Sequence, residues 1–210
     1  MKREEWLEKR KIGISGTDAS AIIGKNPYMT NQECWEYKVG IKKRENIDNT
    51  AMKYGREAEK YLLELFQLDY PQYEVQHQDY DLRVHKDYEF LLGSIDGELI
   101  CKETGELGIL EIKTTNILKS QHYEKWRNKV PDNYYIQVLH YLLITGYSYA
   151  IIKAQLKTNY ENNIKLTTNH YFIKREEVKE DLEYLLEKEL EFWKVNILGN
   201  KKPDLILPEI

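Results

Sequence analysis

LGSIDGELICKETGELGILEIKTT, residues Leu92 to Thr115, is the stretch whose reading decides the fold. Ser94 to Ile100 alternate loosely, Lys102 to Glu106 make a polar turn containing Gly105, and Gly108 to Lys113 form a second run, so the stretch predicts a β-hairpin. Side chains alternate along a strand, which puts Glu111 and Lys113 on one face and Leu110 and Ile112 on the other. If Asp96 pairs near Glu111, two carboxylates and an ammonium converge on one small area. Like charges at close range repel unless a cation sits between them, so this hairpin points to a cation site. The spacing alone leaves one alternative open, a surface hairpin with an ordinary Glu111–Lys113 ion pair.

Hard divalent cations such as Mg²⁺ take carboxylate, carbonyl and water oxygens at about 2.0–2.1 Å, usually with only one or two protein carboxylates. Asp96 and Glu111 are the expected ligands, and the Ile112 carbonyl is a candidate third. Lys113 is too basic to ligate while protonated; it suits orienting or activating an attacking water and stabilising charge that develops on phosphorus. Histidine is absent from the hairpin and cysteine occurs there only as Cys101, which disfavours zinc.

Outward from the hairpin, 210 residues with a hydrophobic fraction of 41% predict one globular domain over residues 1–210. Charged residues make up 31% and mean hydropathy is −0.68, and no apolar run approaches the roughly 20 residues of a membrane span. The charged opening Met1-Lys2-Arg3-Glu4-Glu5-Trp6 has no apolar signal core, so we expect a cytoplasmic protein with no membrane partner. Cys34 and Cys101 lack metal-ligand spacing and read as reduced, ordinary residues. A formal net charge of −4 argues against a protein that coats nucleic acid non-specifically, though a local basic groove can still track phosphates. The 17 tyrosines are scattered, which suits packing rather than a base-stacking platform.

In chain order, Met1 to Arg10 reads as a short charged helix. Thr17 or Ser15 caps a second helix that Gly24 stops. Its N-terminus, beside Arg10 and Lys11, reads either as a phosphate cradle or as a plain cap and turn. Thr30 with Glu33 makes a capping box, Lys42 to Asn49 a polar loop, and Thr50 to about Leu68 a long amphipathic helix. Gly55 inside that helix costs about 1 kcal/mol against alanine, which suggests that something approaches the backbone there. Tyr73 to Val84 and Glu89 to Leu92 are expected strands. After the hairpin come a helical stretch around His122 and Trp126, and a helix from Asp132 to Thr145 with Gln137 and Tyr141 one turn apart. Strands follow at Tyr147–Leu156 and Thr168–Ile173, separated by a polar turn from Lys157 to Lys165. A long helix from Arg175 to Val195 and an extended tail from Gly199 close the chain. This order predicts an α/β (α+β) fold, a mixed central sheet flanked by helices.

Five motifs in order, Gly13-Ile14-Ser15-Gly16-Thr17-Asp18-Ala19 with Asn26-Pro27-Tyr28, Gly55-Arg56-Glu57-Ala58-Glu59, Gly93-Ser94-Ile95-Asp96-Gly97, Glu111-Ile112-Lys113 and Gln137-Val138-Leu139-His140-Tyr141, carry a resemblance. The chain resembles the lambda exonuclease / YqaJ-type viral recombinase group of the PD-(D/E)XK nuclease superfamily. The resemblance implies a restriction-endonuclease-like core and a Mg²⁺-dependent deoxyribonuclease, with Mn²⁺ substituting, that digests duplex DNA from a 5′ end and leaves a 3′ single strand. It implies double-stranded DNA ends and a single-strand annealing protein as partners, a homo-oligomeric ring, and a phage or prophage origin in a bacterial host. Carried over by position, Asp96 and Glu111 resemble the core metal ligands, Glu59 the helix acid and Lys113 the catalytic lysine. Gln137 and Tyr141 resemble the helix motif that lines the cleft, and the Lys11 to Ser20 segment, with Ser15, Thr17 and Asp18, the part that meets the 5′ phosphate. Thr17-Asp18 stands where a Ser-Asp pair is more usual. Gly55 and Glu59 share a helix face, which selects Glu59 over Glu57 as the helix acid. Two alternatives remain, an endonuclease of the same superfamily and a non-catalytic DNA-binding scaffold.

Overall fold

Gly97 to Cys101 and Leu107 to Ile117 do pair as an antiparallel hairpin, and the rest of the architecture is built on its second strand. The structure, a computed structural model, describes residues 2–43, 49–160 and 163–207. Helix α1 (Arg3–Ile12) carries acids in its first turn and Lys9, Arg10 and Lys11 in its last, the order that the helix dipole favours. Ser15 is the N-cap of α2 (Gly16–Ile22), and Thr30 caps α3 (Asn31–Lys38) in a reciprocal box with Glu33. Helix α4 (Thr50–Asp69) follows, with the Asn49 side chain accepting from the Met52 N–H at 2.9 Å.

The strands are β1 (Tyr73–Gln76), β2 (Arg83–Val84), β3 (Leu92–Gly93), β4 (Gly97–Cys101) and β5 (Leu107–Ile117). Helices α5 (Ser120–Glu124) and α6 (Asp132–Thr145) then lead to β6 (Tyr149–Tyr160) and β7 (Asn163–Lys174). A 3-10 turn (Arg175–Val178), α7 (Lys179–Glu191) and a π-helical turn (Phe192–Leu198) end the regular structure. The main sheet has the order β1-β4-β5-β6-β7, with β2 and β3 in a separate pair. Only β5–β6 is parallel in it, because the crossover through α5 and α6 returns the chain in the same direction.

Both faces of the sheet are covered, as the uninterrupted burial of Gly108 to Ile112 requires. Leu99, Leu110, Ile112 and Ile151 pack on Leu62, Leu63 and Phe66 of α4. Ile109, Ala150, Ile152 and Ile173 face α6, α2 and α7 through Val138, Leu139, Leu142, Ala19 and Leu185. Each such buried Leu, Ile or Phe side chain contributes about 1.5–3 kcal/mol. Gly55 meets the sheet itself: a Cβ there would stand 3.1 Å from Thr114 Oγ1, so the approaching group is β5.

Several expected boundaries move. The expected strand from Tyr73 to Val84 breaks into β1 and β2, and that of Glu89 to Leu92 shrinks to β3 at Leu92–Gly93. The polar Lys157 to Lys165 turn is instead strand on both sides, pairing Lys157 with Leu166 and Thr158 with Lys165; Glu161 and Asn162 lie outside the described residues. Backbone bonds hold these two arms together whatever their side chains, so polarity there does not signal a turn. The Arg175–Val195 helix begins only at Lys179 and widens at Phe192. Of the Lys42–Asn49 loop, Arg44 to Asp48 lie outside the described residues, and Lys42 pairs with Glu36 at 2.6 Å. Among the described residues no helix is long and apolar enough to cross a membrane.

Candidate active site

The β4–β5 ladder ends at Gly97–Leu110, and the next β5 N–H on that edge, of Ile112, is taken by the Asp96 side chain: Asp96 Oδ2 accepts from it at 2.8 Å. Asp96 thus sits one step beyond its own strand, where the two strands begin to part, beside Glu111. An antiparallel residue turns its N–H and C=O to the same edge, so the Ile112 carbonyl leaves β5 on the Asp96 side. The Asp96 carbonyl is held in turn by His77 Nδ1 at 2.6 Å, whose Nε2 faces Asp79 Oδ1 at 3.1 Å. Burial opposes a charge on this ring, but the Asp96 carbonyl and Asp79, both acceptors, outweigh it and raise the His77 pKa.

On the same face as Glu111, Lys113 Nζ donates to Glu111 Oε1 at 2.6 Å and to Gln137 Oε1 at 3.0 Å, and lies 4.8 Å from the Tyr134 ring centre. Gln137 Nε2 donates to the Tyr141 hydroxyl at 2.8 Å, which continues the chain along α6. Gly93 allows this: a Cβ there would stand 2.7 Å from the Tyr141 ring. Asp96, Glu111, Lys113, Gln137 and Tyr141 are therefore one constellation.

Its electrostatics are unbalanced. Burial, then the charge of Asp96, pushes the Glu111 carboxyl up to about 8. Burial likewise raises Asp96, and burial followed by Asp96 raises Glu59 to about 7. Burial works against the Lys113 ammonium, but Glu111 and Asp96 outweigh it and hold its pKa well above the ordinary lysine value. Glu111 is 1% exposed, and among the described residues its buried Oε2 has no hydrogen-bond partner. A buried, unpartnered carboxylate oxygen among other acids is what a hard cation would satisfy, so the donor set fits a divalent ion.

Glu59 projects from α4 toward this centre, half-buried and within electrostatic reach of Asp96 and Lys113. Glu57 is turned to solvent and faces Lys53 at 3.9 Å. Among the described residues no three acidic, histidine or cysteine side chains are gathered closely enough to hold an ion as they stand.

The residues assigned to the 5′ phosphate divide. Lys11 and Thr17 are exposed, with Lys11 paired to Glu8 at 2.6 Å. Ser15, Asp18 and Ser20 are buried and hold the segment in place. Asp18 Oδ2 accepts from the Ser15 N–H at 2.9 Å, from Ser15 Oγ at 2.8 Å and from Lys38 Nζ at 2.7 Å, while Ser20 Oγ donates to the Thr17 carbonyl at 3.0 Å. Helix α1 leans on the loop that bears Asp96: Trp6 Nε1 donates to Ser94 Oγ at 2.7 Å, and the Arg10 guanidinium stacks 4.3 Å over the Trp6 ring. His77, Tyr134 and Lys38 were not foreseen, since each reaches the site through contacts that no local spacing encodes.

A family model described as YqaJ-like viral recombinase domain matches residues 5–148. The uncharacterised protein YqaJ of Bacillus subtilis (strain 168) is 31% identical over 207 residues, 98% of this chain; the chain spans 60% of that relative's length. Among solved structures, an alkaline exonuclease from Laribacter hongkongensis superposes with a TM-score of 0.66 at 17% identity, over 94% of this chain and 95% of its own. A phage-related exonuclease from Haemophilus somnus 129PT superposes with a TM-score of 0.58 at 13% identity, over 90% of this chain and 97% of its own. These two share the fold.

Proposed function

The chain belongs to the YqaJ-like viral recombinase family, and from that premise we propose that it is a Mg²⁺-dependent exonuclease that digests linear duplex DNA from 5′ ends. The observation that carries the reading is the partnerless, buried Glu111 Oε2 beside Asp96 and Lys113. Asp96 and Glu111, with the Ile112 carbonyl and Glu59, would hold Mg²⁺ or Mn²⁺. Such an ion, when bound, supplies Lewis-acid polarisation of the phosphate and a more acidic water.

The chain's own residues do the rest. Glu111 and Asp96 favour the Lys113 ammonium, which would donate to phosphate oxygens and orient the attacking water. Glu111 and Gln137 fix its head group between them. Tyr141, anchored by Gln137, walls the centre. Lys11 and Thr17 are the accessible members of the segment assigned to the DNA end, and Ser15, Asp18 and Ser20 set its shape. A 3′ single strand as product, an annealing protein to receive it, a ring of copies around the duplex and action in the bacterial cytoplasm belong to the same reading.

Incubation with linear duplexes bearing a 5′ phosphate or a 5′ hydroxyl, and with closed circular DNA, tests it. Mg²⁺-dependent release of nucleotides from the linear substrates, fastest with the 5′ phosphate, is expected, with the circle intact. Cutting of the circle would replace the exonuclease with an endonuclease, and no cleavage or Mg²⁺ binding at all would leave a DNA-binding scaffold.

A further inference from the structure

An acidic protein that works on DNA needs a local surface of opposite sign, and the segment that follows β5 has one. From Lys119 to Lys129 there are four cations, Lys119, Lys125, Arg127 and Lys129, against the single acid Glu124, a local charge of +3 in a chain of net −4. All four cations are exposed. Among the described residues none of the three lysines meets an acid at ion-pair distance, and Arg127 meets Glu124 only at 3.5 Å with both side chains well solvated. Several lysines elsewhere on the surface are paired, Lys9 with Glu5, Lys11 with Glu8, Lys42 with Glu36 and Lys188 with Glu191, and others such as Lys60 and Lys179 stand apart; what sets this segment off is four cations within eleven residues beside the candidate site.

The segment is charged but held in place. Trp126 in its middle is 3% exposed, stacks on Tyr134 at 5.5 Å and packs against Tyr171 at 5.9 Å; the Tyr171 hydroxyl donates to the Trp126 carbonyl. Tyr134 is the ring that lies 4.8 Å from Lys113 Nζ. One run of contacts therefore links the candidate catalytic lysine, Tyr134 and the tryptophan that anchors the cations. From this we infer that the Lys119–Lys129 segment is the phosphate-tracking surface of the enzyme, gripping the backbone of the duplex next to the site that cuts it.

The inference rests on the nuclease reading for its place but not for its test, which is binding. Anisotropy of a labelled duplex, with Ca²⁺ in place of Mg²⁺ to hold off cleavage, is followed against salt for the wild type and for a variant carrying Lys125→Gln, Arg127→Gln and Lys129→Gln. A control carries Lys102→Gln, Lys174→Gln and Lys179→Gln, exposed lysines at the opposite end of the sheet near the start of β5. Each lost phosphate contact lowers the slope of log affinity against log salt by about one, so the first variant is expected to lose about two to three and to bind on the order of tenfold more weakly. The control should keep the wild-type slope, and circular dichroism should show both variants folded. A nuclease-active protein whose first variant keeps the full slope, or whose control loses as much, overturns the inference and leaves the nuclease reading intact. A wild type that binds through these cations but cleaves nothing does the reverse.

Discussion

Asp18 and Glu111 are both carboxylates buried against a lysine, and they differ in what surrounds the pair. Asp18 is 0% exposed, and one of its oxygens accepts from the Ser15 N–H, the Ser15 hydroxyl and Lys38 Nζ, with the Cys34 thiol 3.8 Å from the other. Glu111 has Lys113 on one oxygen, no partner on the other, and Asp96 and Glu59 adding negative charge nearby. A buried charge with its lone pairs filled fixes structure, and removing its partner is what destabilises. A buried charge left unfilled beside like charges stores electrostatic free energy that only a cation or a proton can release. The first pair locks α2 to α3; the second leaves negative charge unbalanced.

That contrast can be broken from either side. Lys113→Ala should leave a folded protein whose DNA cleavage falls about 10³-fold, roughly 4 kcal/mol of transition-state stabilisation, in single-turnover assays; near-wild-type rates would remove Lys113 from the mechanism. Lys38→Ala should act in the opposite currency, lowering stability by about 3 kcal/mol in urea unfolding because the buried Asp18 carboxylate loses the Lys38 ammonium. An unfolding midpoint close to wild type would show that Asp18 is not the scaffold described above. Glu111→Gln should sharpen the difference. Wild type should gain about 2–3 kcal/mol from Mg²⁺ at 100 times its Kd, read as a rise in Tm, and the variant almost nothing. Without metal the variant should be at least as stable as wild type, since one of the mutually repelling acids has gone.

Much of the second pair was legible. The two-residue period of a strand is enough to put Glu111 and Lys113 on one face, and the helical turn is enough to align Gln137 with Tyr141. Asp18 and Ser20 were not legible in the same way, because a polar residue in a glycine-rich motif reads alike whether it points at a ligand or at its own backbone. Lys38 decides the matter for Asp18 and arrives from a different helix. Gly55 signalled a close approach correctly, but only the fold shows that the approaching group is Thr114 of the neighbouring strand. The long β6–β7 arms are not legible in the sequence because their pairing is made by backbone groups, while the side chains from Lys157 to Lys165 carry the polarity of a turn.

A third buried pair lies between these extremes, and its test is the smallest. His140 of α6, one residue before Tyr141, has Nδ1 2.7 Å from Glu189 Oε1 and Nε2 3.1 Å from the Leu92 carbonyl. Both neighbours are acceptors, so the ring donates from both nitrogens and is an imidazolium. Burial opposes that charge, but Glu189 and the Leu92 carbonyl outweigh it and raise the His140 pKa above its ordinary value. A raised folded pKa means that the stabilisation is fully present below the unfolded value of about 6.5 and is lost as pH rises through the folded one. Stability measured by urea unfolding should therefore decline on the alkaline side of neutrality, by about 1.5–3 kcal/mol, the scale of a hydrogen bond to a charged group. His140→Gln, which can donate to only one of the two acceptors at a time and carries no charge, should be less stable near pH 6 and lose that decline. Because His140 joins α6 to α7 and to the strand before Asp96, the same variant should weaken Mg²⁺-dependent cleavage only modestly; a large loss would mean that the α6 register, and not the Glu111–Lys113 pair alone, sets the geometry of the site.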